Sequence, residues 1–132
     1  MEQHMKIVVA VGFNPHSERL LGRAAALARG LDGALLAVHI RPPDSGTDVS
    51  DANLDWNCRH ARALGATIHI VEGRDVAETL VRFAREESAT HVVLGQSDIS
   101  RWQEMVRGSV INKILRQHAG LDIYIVTEEA KA

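Results

Sequence analysis

The 132-residue sequence has a single cysteine, Cys58, three prolines and few aromatics, 4% of the chain. One cysteine excludes an internal disulfide framework and fits a reducing compartment. The shortage of aromatics leaves Val, Ile, Leu and Ala to build the core. Charge of either sign is not in surplus: 15 Lys and Arg stand against 17 Asp and Glu. That balance excludes a broad positive field for nucleic acid. No apolar run approaches the roughly 20 residues that span a bilayer, and residues 1–4 are polar, unlike a signal peptide. The composition therefore points to one cytoplasmic domain, residues 1–132, inserting into no membrane.

What is present is a regular alternation. Lys6 to Val11, Leu35 to Ile40, Thr67 to Val71, His91 to Leu94 and Ile123 to Val126 are short runs rich in β-branched residues. Continuous apolar runs of this kind suit strands buried on both faces. Between them, apolar residues recur at helical spacing: Leu20, Ala24, Leu27, Ala28 and Leu31; Leu54, Cys58, Ala61 and Leu64; Val76, Leu80, Phe83 and Ala84; Val110, Ile111, Ile114 and Leu115. Asn14-Pro15 reads as a helix start, Asp75-Val-Ala-Glu78 as a capping box, and Gly30, Gly33 and Gly65 as helix stops. Five strands and four helices in alternation predict an α/β fold. It is a doubly wound parallel sheet of order 3-2-1-4-5 whose ligand lies at the carboxyl ends of the strands.

Residues 96–107 read as a long loop between the fourth strand and the fourth helix, bordered by Gly95 and Gly108-Ser109. Loops at this place usually run about 2–6 residues, so a longer one suggests function. Gly95 and Gly108 would let a ligand approach the backbone. Ser97, Ser109 and the helix start at Val110 would supply hydroxyl and N–H donors, and Arg101 and Arg107 charge, for an anion such as phosphate. The same residues also read as a tight turn at Gly108, a Ser109 cap and solvated arginines. Trp102 would stack on a base or fold back over the sheet end.

Gly95, two residues, Asp98, nine residues and Gly108-Ser109 resemble the signature of the universal stress protein family. Gly108 to Gln117, Ile123 to Val126 and Gly22 to Ala28 resemble that family too, and the likeness spans roughly residues 6–127. It implies an adenine nucleotide alpha hydrolase-like fold without catalysis of its own. It implies a cofactor such as ATP or another adenine nucleotide: Gly95, Gly108 and Ser109 at phosphate, Val110 near the ribose, and Val38 and His39 near the base. The first-strand loop, Gly12-Phe13, would complete the site. Two positions depart from the pattern. Asp98 stands where the middle glycine is usual, and Gly12 where an aspartate is usual.

Ser17 to Leu20, Arg41-Pro42-Pro43, Asp75 to Glu78, Arg101-Trp102 and Leu121-Asp122-Ile123 resemble more specifically the universal stress domain of KdpD-type potassium sensor kinases. That resemblance implies a regulatory module, able in some relatives to bind cyclic di-AMP. The alternative is a ligand-free interaction domain with a regulatory protein partner. Family likeness also implies a homodimer through strand Ile123 to Val126. Seven histidines are scattered without a metal-ligand spacing, and Cys58 lies on an apolar helical stripe, so neither metal nor thiol catalysis is expected.

Overall fold

The computed structural model describes residues 4–15, 17–43, 52–103, 109–117 and 120–128. The elements in chain order are β1 (Lys6–Ala10), α1 (Glu18–Gly30), β2 (Ala34–Arg41), α2 (Ala52–Ala63) and β3 (Thr67–Glu72). There follow α3 (Val76–Glu86), β4 (His91–Gly95), α4 (Gln96–Gln103), α5 (Val110–Gln117) and β5 (Asp122–Val126). The sheet is parallel throughout, in the order β3-β2-β1-β4-β5. The expected strand order is the observed one. The winding reverses between β1 and β4, where Val8 lies level with Leu36 on one side and Val92 on the other.

Strand alternation divides the core in two. Val8, Ala10, Leu36, Val38, Val92 and Leu94 face α3 and α5, meeting Leu80, Ala84, Val110 and Ile114. Ile7, Val9, Leu35, Ala37 and Val93 face α1 and α2, meeting Leu21, Ala24, Ala25, Leu54 and Ala61. Among the described residues the buried hydrophobic core holds one Phe, Phe83, and no Tyr or Trp. Branched aliphatics pack both faces of a parallel sheet without large rings, which accounts for the aromatic-poor composition.

Three expectations are corrected. Five helices are present among the described residues rather than four, because residues 96–103 are helical and not loop. The segment contains neither Gly nor Pro, and Ile99 and Trp102, spaced three apart, both pack on the α3/α5 core. Helix α1 begins at Glu18 with Ser17 as its N-cap rather than Asn14. The Asn14 carbonyl is already taken, accepting from Ser17 Oγ at 3.0 Å, and Ser17 makes no side-chain cap. At the end of α1, the left-handed residue is Asp32, φ 54°, not a glycine. Gly33 serves a different need: a Cβ there would stand 2.6 Å from the Met5 carbonyl oxygen. The stop at Gly65 is as expected, at φ 100°.

The Asp75 cap forms as read. Its Oδ1 accepts from the Glu78 N–H at 3.1 Å, and its Oδ2 accepts from Lys113 Nζ at 3.1 Å, tying α3 to α5. The Glu78 N–H and the Lys113 ammonium hold the carboxyl below its ordinary pKa. A lowered folded-state pKa makes the contribution present above the unfolded value and lost as pH falls through the folded one. Asp75→Ala is expected to cost about 1 kcal/mol at neutral pH in urea unfolding, with the difference shrinking in acid. An unchanged midpoint at pH 7 would show the cap to be energetically idle.

Candidate functional site

The carboxyl ends of β1 and β2 open into a cleft of about 170 Å³, roofed by α4 and the start of α3. Its walls come from consecutive backbone. Ala10, Val11, Gly12 and Phe13 leave β1; Val38, His39 and Ile40 run up β2; Val76 starts α3; Asp98, Arg101 and Trp102 descend from α4. The surface is mostly apolar, with a few polar groups, the usual make-up of a small-molecule site.

His39 is buried, 6% exposed, and its Nδ1 lies 2.8 Å from the Val11 carbonyl oxygen. A carbonyl only accepts, so Nδ1 carries the proton. Val11 in turn donates its N–H to the Val38 carbonyl at 2.8 Å, which continues the β1–β2 pairing past the end of β1. Phe13 stands edge-on to the His39 ring, centroids 5.1 Å apart and planes at 82°. The Arg101 guanidinium carbon lies 6.0 Å from the centroid of the other aromatic surface, Phe13. Phe13 is 39% exposed, so this ring forms a rim and not a floor. Trp102 folds back over the sheet end against the core, and it lines the cleft from there.

Behind the first-strand loop sits Asn57 of α2, which is wholly buried. Its Nδ2 donates to the Gly12 carbonyl at 3.0 Å and to the Asn14 carbonyl at 2.9 Å. Two acceptors fix which end of the amide is nitrogen. Among the described residues the Oδ1 meets no hydrogen-bond donor. Asn57 thus pins the loop that forms one wall. Sequence reading passed over it in favour of Cys58, although Leu54, Asn57 and Ala61 have the 3-then-4 spacing of a buried stripe. Cys58 is half-buried, and burial raises its thiol pKa, so it is not an activated nucleophile.

Asp98 is the most buried charged or polar side chain lining the cleft, 4% exposed against 6% for His39. A Cβ added to Gly12 would stand 3.0 Å from its Oδ1, and one added to Gly95 would stand 3.3 Å from its Oδ2. The carboxylate therefore points inward, over Gly12 just past β1 and Gly95 at the end of β4. Burial raises its pKa to about 6, against the opposing pull of Arg101.

The structure thus brings Gly12, Phe13, Val38, His39 and Arg101 to one cleft, with Gly95 beneath Asp98. Ser97 faces elsewhere, into a shallow polar recess with Gln96, Ser100 and Glu128. Ser109 caps α5, its Oγ accepting from the Asn112 N–H at 3.2 Å. Val110 is buried in the core, its N–H donating to Gln103 Oε1 at 3.0 Å. Arg107 and Gly108 lie outside the described residues. Among the described residues no three His, Cys, Asp or Glu side chains group as metal ligands, and no helix is long and apolar enough to cross a membrane.

The cleft wall is largely aliphatic, and the space beside Gly12 is taken by the Asp98 carboxylate. An inward carboxylate does not fit a chain of phosphates.

Comparison with known proteins supports the resemblance read from the residues. The chain is 36% identical over 129 residues to the sensor protein KdpD of Mycobacterium tuberculosis, covering 98% of this chain and 15% of that protein. It is 34% identical over 132 residues to KdpD of Rathayibacter rathayi, again 15% of the relative's length. The chain thus spans a small part of these sensor proteins. Among solved structures, a universal stress protein from Archaeoglobus fulgidus in complex with dAMP superposes with a TM-score of 0.68. The two are 26% identical, over 92% of this chain and 97% of that one. A universal stress protein in complex with cAMP gives a TM-score of 0.70 at 24% identity, over 96% and 98%. The universal stress protein family matches residues 4–126, and the chain belongs to that family.

Proposed function

We propose that this domain is a non-catalytic regulatory module that binds an adenine nucleotide in the β1/β2 cleft and reports the binding through α4. The observation that carries this reading is the cleft's place: an apolar slot at the point where the sheet's winding reverses, walled by Gly12, Val38 and His39. Two structural neighbours hold adenine monophosphates, dAMP in one and cAMP in the other. Likeness to a segment of KdpD sensor proteins favours a signalling role, and such a module would work in the cytoplasm. Helix α4 is the element to transmit the signal. It is short, it supplies Asp98, Arg101 and Trp102 to the cleft, and its outer face is exposed. A ligand that binds one arrangement of α4 better than another would shift the surface offered to a protein partner.

A pairing of two copies through β5 belongs to the same proposal. β5 is an edge strand whose Tyr124 and Ile125 are each 47% exposed, and an uncovered apolar edge favours pairing. The recess beside it is lined by Arg19 and Arg23 of α1. Sedimentation of a monomer at high micromolar concentration would remove the dimer from the reading.

Calorimetry with cAMP, AMP, cyclic di-AMP and ATP tests the nucleotide site. Binding of at least one is expected, and Phe13→Ala should weaken it roughly tenfold, because one ring-to-base contact is worth about 1–3 kcal/mol. Phe13 lies at the rim, so the variant should melt like the parent. No heat from any of the four at millimolar concentration would leave the ligand-free interaction domain as the better account.

A further inference from the structure

The carboxyl ends of β1 and β4 lie side by side in the sheet, and each leads to a glycine. Asp98, in the first turn of α4, reaches over both. Its Oδ1 is 3.0 Å from where a Gly12 side chain would begin, and its Oδ2 is 3.3 Å from the matching point on Gly95. A side chain at residue 12 and the Asp98 carboxylate would therefore contend for a single volume. In this chain that volume is held by a carboxylate supplied from α4. It is 4% exposed, and it lines the cleft. Arg101, one turn further along α4, also lines the cleft: its Nη1 is 3.8 Å from the same point on Gly12, and its charge acts on the Asp98 carboxylate without cancelling the effect of burial.

A buried carboxylate needs donors. A phosphate brings only acceptors and negative charge. At contact distance in a partly dry cleft, repulsion between two such charges weakens binding by on the order of 100-fold or more. Hydroxyl and amino groups of a nucleoside bring donors that a carboxylate accepts well. We infer that Asp98 selects the ligand by charge: the cleft takes an adenine nucleoside, with hydroxyl or amino donors on the Asp98 carboxylate, and discriminates against a polyphosphate chain placed there. This inference rests on the nucleotide reading above.

The test is calorimetry on the whole chain with adenosine and with ATP, each with EDTA and with Mg²⁺, because a divalent cation can bridge a carboxylate and a phosphate. The parent is expected to bind adenosine at least tenfold more tightly than ATP in EDTA, with the gap narrowing in Mg²⁺ as the cation bridges carboxylate and phosphate. Asp98→Asn should gain at least tenfold for ATP, and Asp98→Gly should do the same. Two variants guard against a folding defect in one, and thermal melts followed by circular dichroism confirm that each is folded. With 2′,3′-dideoxyadenosine, a tenfold loss assigns the donors to the ribose hydroxyls and no loss assigns them to the base amine. The discrimination against ATP stands in both cases. ATP binding to the parent as tightly as adenosine in EDTA overturns the inference and leaves the nucleotide site in place. No heat from either compound with any form overturns both.

Discussion

Asp98→Asn is expected to stabilise the protein by about 2–3 kcal/mol at pH 7.5 and by almost nothing near pH 4. The carboxyl is 4% exposed, and burial moves its pKa from 3.8 to about 6. A raised folded-state pKa means that folding favours the protonated form. The group's favourable contribution is therefore complete below pH 3.8 and is lost as pH rises through about 6. Each pH unit between the two values is worth about 1.4 kcal/mol, which sets the size of the gain. Asparagine has the same shape and carries no charge, so it removes the penalty without opening a cavity. Arg101 tempers the effect, since its guanidinium favours the charged carboxylate. Urea unfolding of both proteins from pH 4 to pH 8 measures the difference directly. Curves that stay parallel across that range would mean the carboxylate is solvated rather than buried. A charge kept at such a cost is what a site under functional constraint shows, because an energetically free choice would have been asparagine or glycine.

Most of the fold was legible because its signals are local and repeated. β-branched runs such as Ile7 to Val9 and Val92 to Leu94 carry the strands, and the Leu80-Phe83-Ala84 spacing carries α3. The Asp75 cap could be read from four residues. The strand order followed from the alternation of elements combined with family likeness. Length across 96–107 reads as a loop, but the absence of Gly and Pro across 96–103 and the Ile99/Trp102 spacing are the local signals of helix α4. Making that segment helical is what aims Asp98 inward. In an extended loop the same residue could point to solvent. The site's polar detail was hidden for a different reason: contacts between Asn57 and the Gly12 and Asn14 carbonyls span more than 40 positions, and no local rule couples them. His39 could be placed near the cleft from its strand, but its bond to the Val11 carbonyl depends on the offset between β1 and β2.

Asn57→Asp should be the most damaging near-isosteric change in the molecule, costing about 4 kcal/mol or more at neutral pH. The native amide donates both N–H groups to backbone carbonyls, at 3.0 Å and 2.9 Å, inside a wholly buried site. An aspartate presents two acceptors to those same carbonyls. It must then remain charged and unpaired, or take up a proton and satisfy only one of them. Asn57→Leu separates charge from lost bonding. It strands the Gly12 carbonyl, while the Asn14 carbonyl keeps Ser17 Oγ, and it also removes an Oδ1 without a donor among the described residues, so about 2 kcal/mol is expected. The aspartate variant should recover part of its stability in acid, as protonation restores one donor, whereas the leucine variant should show no such recovery. Because both bonds hold the loop carrying Gly12 and Phe13, ligand affinity should fall in both variants even where the chain remains folded. Denaturant midpoints at pH 5 and pH 7.5 decide the matter. An aspartate variant within 1 kcal/mol of the parent at pH 7.5 would show that this loop is held by something other than the Asn57 amide, and the wall of the cleft would need another anchor.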